Sequence, residues 1–421
     1  MRIAVSGGNK NIKILKTLFK EDVEITCFLD NNPELAGAVI EDIKVYSPYD
    51  FPVDTVDYII VFIYDYEKIN QELVDLGVNK HCIINFNDER LDFAECEEIF
   101  HSDIADKFRM KLKLDDLNRK IRVLENNLQW FQQNYVYEIV SQLENREIVL
   151  PVIHTIEETI EKIICEKCSL SRYGDGEFEI ILGHAKDIYQ SNHEKLAERL
   201  KEILKSSLQK HIVALADDYG EMRGLRSENK NTIRRYMTEE KRSEHYRLLD
   251  MDKDYYNAYI SRPYVIYPHN EIGKAGKRFK SLQRIWDKQN VLFVEGDKTR
   301  MGVGNDLFRN AEKIERIIAP NENAFDVYDK ILNAALKYGK DRLILIALGP
   351  TATVLAYDLA EMGYWALDIG HLDLEYEWFL KGKGYSYIPH KYNNEALGDT
   401  KVQDIYDEYY EETIIETIGI S

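Results

Sequence analysis

Short apolar runs separated by amphipathic stretches recur along most of this chain. Within residues 1–95 the runs RIAVSGG, VEITCFLDNNP, YIIVFI and CIINF alternate with helical spacing through Leu15 and Phe19. Runs of this length, bounded by Gly, Asn and Pro, read as buried strands, and their alternation with helices predicts a small Rossmann-like domain on a parallel sheet. The rhythm returns over residues 148–421 in IVALAD, YVIY, VLFVEG, RIIAP, LILIALG and YWALDIG, which predicts a second, larger α/β domain. Between the two, over residues 101–146, the period changes. Met110, Leu114, Leu117, Ile121, Leu124, Leu128, Phe131 and Tyr135 alternate in spacings of four and three, a heptad seam on one long connecting helix. Its apolar stripe either joins two copies of the chain as a homodimer through the 104–140 helix or packs as a brace.

Charge narrows the partners. A formal net charge of −19 argues against a nucleic-acid or anionic-lipid surface, because such partners are met by clustered Lys and Arg. No run approaches the roughly 20 apolar residues of a membrane span, so a cytoplasmic protein is expected. The five cysteines fit a reducing compartment, and Cys165 and Cys168 form a CxxC without the second pair that a zinc ribbon needs. In the first domain Gly7 and Gly8 follow the first strand and Asp30 ends the second, but Asn9–Ile12 supply no further glycine. The dinucleotide fingerprint is therefore incomplete, and a structural or regulatory role is expected of that domain.

The chemistry concentrates at Arg172–Glu177, RYGDGE, where Asp175 and Glu177 stand among glycines. Two carboxylates one residue apart repel unless a cation or strong donors lie between them. Oxygen-only ligands suit a hard ion, Mg²⁺ or Mn²⁺, which keeps positions for water and substrate phosphates. A solvated turn with Gly174 and Gly176 at positive φ is the alternative reading of so short a motif.

SLSRYGDGEFEI, VEGDKTRMGVGNDLF and LGPTATVLAYDLAEMGYWALDIGHLDLEYEW resemble, in the same order, the GT-D glycosyltransferases. The resemblance runs from about Ile148 to the C-terminus. It implies a GT-D-like Rossmann-type fold for the C-terminal domain and a nucleotide-sugar donor, typically a UDP-sugar. It also implies a divalent metal on Asp175 and Glu177 and transfer of the sugar, with inversion, to a hydroxyl of a glycan or glycoprotein acceptor. Tyr173 stands where the family usually has Phe.

Other strings offer partners for such a donor. Gly349 and Pro350 make a tight turn before a helix starting near Thr351, and a helix N-terminus with its unpaired N–H groups favours a phosphate or ribose hydroxyl. Arg300 or Lys298 offers charge for a diphosphate, followed by a helix start near Asn305, and Arg172 and Arg262 are further cation candidates. Asn323, near another helix start, suits a uracil edge or a cap. In ALDIGHLDLEYEW, His371, Asp373, Glu375 and Glu377 share one face if the strand persists. Asp373 and Glu375, then Glu377, become candidates for the base that takes the acceptor's proton, with His371 orienting a carboxylate or a water. The acidic C-terminal tract reads as a final helix. A metal-dependent phosphoesterase or pyrophosphatase and a noncatalytic nucleotide-binding scaffold are the competing functions.

Overall fold

The computed structural model of the protein describes residues 1–7, 12–32, 34–63, 66–139, 148–185, 190–222, 224–338, 340–393 and 402–419. The chain divides into two compact units, Met1–Asn126 and Asn127–Ser421. Gly8, paired above with Gly7, lies outside the described residues.

The first unit holds strands β1 (Arg2–Ser6), β2 (Glu24–Leu29), β3 (Val39–Ile40), β4 (Ile43–Tyr46), β5 (Tyr58–Val61) and β6 (Ile83–Asn85), with helices α1 (Ile12–Leu18) and α2 (Tyr66–Asp75). The sheet order is β3-β4-β2-β1-β5-β6, parallel except for the β3–β4 hairpin. Strand alternation sends Ile3 and Val5 to one face with Leu15, Phe86 and Phe100, and Ala4 to the other with Val61 and Leu73. Both faces are buried, which is why these strands read as continuous apolar runs.

The expected long helix is α3, Ser102–Ile139. Residues 140–147, which include the end of the predicted segment up to 146, lie outside the described residues. Met110, Leu114, Leu117, Ile121, Leu124 and Leu128 are all exposed on it, from 48% at Leu117 to 75% at Met110. Phe131 instead lies under the Arg234 guanidinium and Asn134 is buried, donating to the Arg234 carbonyl.

In the second unit the strands are β7 (Val152–Ile153), β8 (Ser169–Tyr173), β9 (His211–Leu215), β10 (Asp254–Asn257), β11 (Asn290–Gly296), β12 (Lys313–Ala319), β13 (Leu343–Ala347), β14 (Trp365–Asp368) and β15 (Ile414–Thr417). They form one sheet in the order β15-β12-β11-β13-β14-β8-β9-β10-β7, with every pairing parallel. Helices α4 (Ile156–Glu166), α5 (Asp175–Ile181), α6 (Glu194–Leu204), α7 (Ser227–Tyr236), α8 (Glu239–Leu248), α9 (Ile272–Trp286), α10 (Tyr328–Lys337), α11 (Pro350–Glu361), α12 (Leu372–Lys381) and α13 (Glu408–Thr413) complete it. Val291, Phe293 and Leu345 pack on one face with α9, while Leu292, Val294 and Ile346 pack on the other with α10 and α11.

The structure corrects four expectations. YVIY, Tyr264–Tyr267, is a buried turn, because the buried Glu375 carboxylate takes the N–H groups of Tyr264 and Val265 that a strand neighbour would otherwise accept. Residues 301–311 form turns, so no helix starts near Asn305. The acidic tract ends as a short helix, α13, followed by the edge strand β15. Leu372–Glu377 is helical and not a strand, with His371 at the N-cap, so Asp373, Glu375 and Glu377 ride on α12.

Glu295 at the end of β11 is fully buried. Its Oε1 pairs with Arg316 Nη1 at 2.5 Å, its Oε2 accepts from Met301 N at 2.7 Å, and Arg316 Nε donates to Thr413 Oγ1 at 2.9 Å. Removing one partner of such a pair leaves an uncompensated buried charge. Arg316→Met is expected to lower the stability of this unit by about 3–5 kcal/mol in urea unfolding, with Glu295→Gln on top restoring part of the loss. An unchanged midpoint in Arg316→Met would contradict it.

Candidate active site

Strand β8 ends at Tyr173, and the chain turns at Gly174 into α5, whose first residue is Asp175. The carboxylate pair therefore sits on the first turn of a helix, and neither Gly174 nor Gly176 has a positive φ. Glu177 Oε2 reaches back to accept from Gly174 N at 2.7 Å, satisfying one of the helix's unpaired donors. Positions two apart on a helix do not face each other, and the two acids have different surroundings. Glu177 feels the charges of Asp368 and Arg172, whereas Asp175 acts on Asp218 and Tyr236. Asp175 is exposed and has no hydrogen-bonding or ionic partner among the described residues.

The neighbouring strand β9 runs in register with β8, Tyr173 beside Leu215, and delivers Asp217 and Asp218 at the same sheet end. Burial, reinforced by the charges of Asp217 and Asp175, pushes the Asp218 carboxyl up to about 7. Desolvation likewise raises Asp217 to about 6 and Glu177 to about 7, against hydrogen bonds from Asn257 and Gly174 that lower them. These two aspartates were not singled out from the sequence. Their signal was the ADD that follows the apolar run IVAL, since loops after the carboxyl ends of parallel strands carry function.

On the other side, β14 places Asp368 next to β8. Arg172 Nη2 donates to Asp368 Oδ1 at 2.7 Å, its Nε to the Asp368 carbonyl at 2.9 Å and its Nη1 to Ser261 Oγ at 2.6 Å. Asp368 is buried, and although burial raises its pKa, Arg172 opposes the shift. The guanidinium lies against Gly370, where φ is +45° and a Cβ would collide with it, so only glycine fits. Thr353 on α11 donates to the Arg172 carbonyl at 3.0 Å, and Ser171 donates to the Thr353 carbonyl at 2.7 Å. The first turn of α11, with Gly349 (φ 53°) as its N-cap and Pro350 at its start, is thereby locked to the strand that carries Arg172. Thr351 caps nothing: Gly349 holds the cap position and the Thr351 hydroxyl is buried without a partner. Tyr173 is also accounted for, its buried hydroxyl donating to the Leu200 carbonyl at 2.7 Å.

Several expected site residues are engaged elsewhere. Arg300 is buried, and its Nη1 donates to the carbonyls of His390 at 2.9 Å and Gln403 at 3.0 Å, so it holds two loop segments together. Asn323 Oδ1 accepts from Ser191 N at 2.9 Å, fixing the backbone before α6 instead of capping a helix. Asp373 and Glu377, one turn apart on α12, share Lys391 and Asn305, and Asp373 also accepts from Gly302 N. Glu375 points the other way along α12. All three carboxylates are buried, at 3%, 0% and 5% exposure, and in the described residues they brace the segments around α12.

Among the described residues no group of three or more His, Cys, Asp or Glu side chains is arranged to hold a metal. The partnerless Asp175, beside carboxyls raised to about 7, instead fits a hard cation that completes its shell with water and ligand oxygens. No helix of the described residues is long and apolar enough to cross a membrane.

The raised carboxyls set a pH dependence. From the ordinary values, 4.5 for Glu177 and 3.8 for Asp218, up to about 7, the folded state holds protons that the unfolded state has released. Stability without added cation is lost as pH rises through that window. Thermal melts in chelator at pH 4.5–7.5 should show this decline in the wild type and a flatter profile in Glu177→Gln/Asp218→Asn; equal slopes would contradict the assignment.

Residues 170–396 match the family described as the glycosyltransferase GT-D fold, and residues 1–84 match the family described as C2185-like, N-terminal. The glycosyltransferase GlyD of Streptococcus pneumoniae is 38% identical over 269 residues, 62% of this chain and 32% of that protein. A probable glycosyl transferase Gly of Streptococcus gordonii is 33% identical over 66% of this chain and 40% of its own length. The match thus spans well under half of each of these two relatives. A structure of domain of unknown function 1792, described as a distinct glycosyltransferase fold, superposes with a TM-score of 0.60 at 36% identity, covering 64% of this chain and 96% of that one. A glycosyltransferase of the same domain type from Streptococcus sanguinis gives 0.61 at 32% identity, over 64% of this chain and all of its own. With more than half of its residues in the family match, this chain belongs to the GT-D family of glycosyltransferases.

Proposed function

We propose that the protein transfers a sugar from a UDP-sugar to a hydroxyl of a glycan or glycoprotein acceptor, with inversion and with Mn²⁺ or Mg²⁺ held by Asp175 and Glu177. The observation that supports this reading most is Asp175, without a partner among the described residues, on a helix start whose neighbours Glu177 and Asp218 resist ionisation. When bound, a divalent ion neutralises charge on the departing nucleoside diphosphate. The N-terminus of α11, its first turn tied to β8 through Thr353 and Ser171, offers N–H donors and partial positive charge to the donor. Of the carboxylates at this end of the sheet, Asp217 lies on the solvent-accessible loop after β9, and desolvation on its protein-facing side raises it to about 6, near the pKa that suits a general base at neutral pH, so it takes the acceptor's proton.

The purified protein, screened with UDP-sugars, Mn²⁺ and glycan acceptors, should release UDP only when acceptor is present. Asp175→Ala and Glu177→Ala should each abolish transfer, and Asp217→Asn should lower kcat by about 10²–10⁴-fold. Release of UMP or phosphate without acceptor would favour a phosphoesterase, and transfer that survives both alanine variants would exclude chemistry at this helix start.

The exposed α3 seam supports a second copy of the chain as partner. At its centre, Ile121 at a between Leu117 and Leu124 at d follows the two-stranded pattern, and in a parallel pair Lys120 at g faces Glu125 at e of the partner helix. Analytical ultracentrifugation should give twice the chain mass for the wild type and the single mass for Leu117→Glu/Leu124→Glu; a monomeric wild type would overturn the pairing.

A further inference from the structure

His245 on α8 is buried, at 2% exposure, and its ring touches a neighbour of each carboxylate segment. Its face stacks on Phe178, the residue after Glu177 on α5, with ring centroids 3.7 Å apart and planes 12° from parallel. Its Nδ1 lies 2.8 Å from the hydroxyl of Tyr219, the residue after Asp218. Its Nε2 lies 3.3 Å from the hydroxyl of Tyr236, the last residue of α7. Tyr236 reaches α5 in turn, its hydroxyl 3.2 Å from Oε1 of Glu179, an oxygen that Lys241 Nζ also meets at 2.9 Å. The protons in this chain of contacts run one way. An ion-paired carboxylate only accepts, so the Tyr236 hydroxyl donates to Glu179 and its oxygen is left to accept from the ring. Burial, with the charges of Lys241 and Arg242, pushes the ring's pKa down to about 3. The neutral ring has one N–H, which is therefore on Nε2, and Nδ1 accepts from Tyr219.

We infer that His245, as the neutral Nε2–H tautomer, is a positioning residue for the cation site, clamping α5 to the loop after β9 so that Asp175 and Glu177 keep the orientation in which they take a divalent ion. The inference rests on the cation reading above. The two grips on α5 fall on consecutive residues, Phe178 through the stack and Glu179 through Tyr236. Consecutive residues project about 100° apart around a helix, so the two together resist rotation of α5 about its axis. Such a rotation would swing Asp175 and Glu177, which lie on the first turn of the same helix. A helix of seven residues needs this hold, because one so short does not persist in water by itself. The grip on Tyr219 is seconded by Arg242, whose Nη1 donates to the Tyr219 carbonyl at 2.5 Å. Tyr236 feels the charges of Asp175 and Asp218, so the clamp adjoins the carboxylates it holds. The tautomer matters to the hold. With the proton on Nδ1, the ring would take the Tyr236 proton at Nε2, and Glu179 would lose its donor from Tyr236.

Two measurements test it. In protein labelled with ¹⁵N-histidine, two-bond ¹H–¹⁵N spectra at neutral pH should show His245 as Nε2–H, assigned by its loss in His245→Asn. In a titration with Mn²⁺ alone, the free ion followed by electron paramagnetic resonance, Tyr236→Phe should bind the ion about 10- to 100-fold more weakly than the wild type. That variant keeps the aromatic ring and removes only the hydroxyl. Tyr219→Phe should shift the affinity in the same direction. Arg316→Met/Glu295→Gln, altered at β11 and β12 with the clamp untouched, should bind Mn²⁺ as the wild type does, which separates positioning from a general loss of stability. An Nδ1–H or doubly protonated ring, equal Mn²⁺ affinity in Tyr236→Phe, or an equal loss in Arg316→Met/Glu295→Gln would overturn the inference. Should Tyr236→Phe fail to fold, the wild-type spectrum and Tyr219→Phe decide. A wild type that binds no Mn²⁺ would overturn the cation reading and the metal half of this inference, while the spectrum still decides the tautomer.

Discussion

The contact on which the larger unit depends is the buried pair between Arg172 and Asp368. Charges of this kind are tolerated away from water only when each finds its counterpart and its hydrogen bonds, and here the guanidinium spends three nitrogens on Asp368 and Ser261. The pair joins β8 to β14 where these strands meet at Leu170 and Leu367. It thereby fixes four segments that are far apart in sequence: the DxE helix start after residue 173, the turn before Arg262, the first turn of α11 and the Gly370–His371 corner. Gly370 is glycine because the guanidinium occupies the space of a side chain.

Much of the architecture was legible because both domains bury their sheets on two faces. Continuous apolar runs such as LILIALG and VLFVEG have no other stable use than central parallel strands, and the seam on α3 announced itself by period. HLDLEYEW misled for the same reason in reverse. Its apolar residues alternate with acids because α12 is buried nearly all round, and its acids have buried partners, so the pattern mimics a strand. YVIY looked like a strand because it is apolar and buried, but its N–H groups are taken by a carboxylate more than a hundred residues later.

The site was legible as residue types and not as roles. Arg300 and Arg172 look alike in sequence, yet one ties loop carbonyls and the other organises the carboxyl end of two central strands, a distinction made by partners distant along the chain. Asp217 and Asp218 escaped notice because a pair of aspartates after a strand is ordinary until a neighbouring strand brings Asp175 beside them. Acidity itself becomes intelligible in this setting. Carboxylates concentrated at one end of a parallel sheet are costly when bare and favourable around a hard cation.

The central proposal is that the start of α5 seats the cation and the N-terminus of α11 seats the diphosphate. Crystals grown with UDP and Mn²⁺, with anomalous scattering recorded from the manganese, test this most directly. The account predicts a manganese peak within coordination distance of Asp175 and Glu177, and a diphosphate that approaches the α11 N-terminus. A manganese peak away from Asp175, or a diphosphate lying against Arg300 and Asn323, would contradict it.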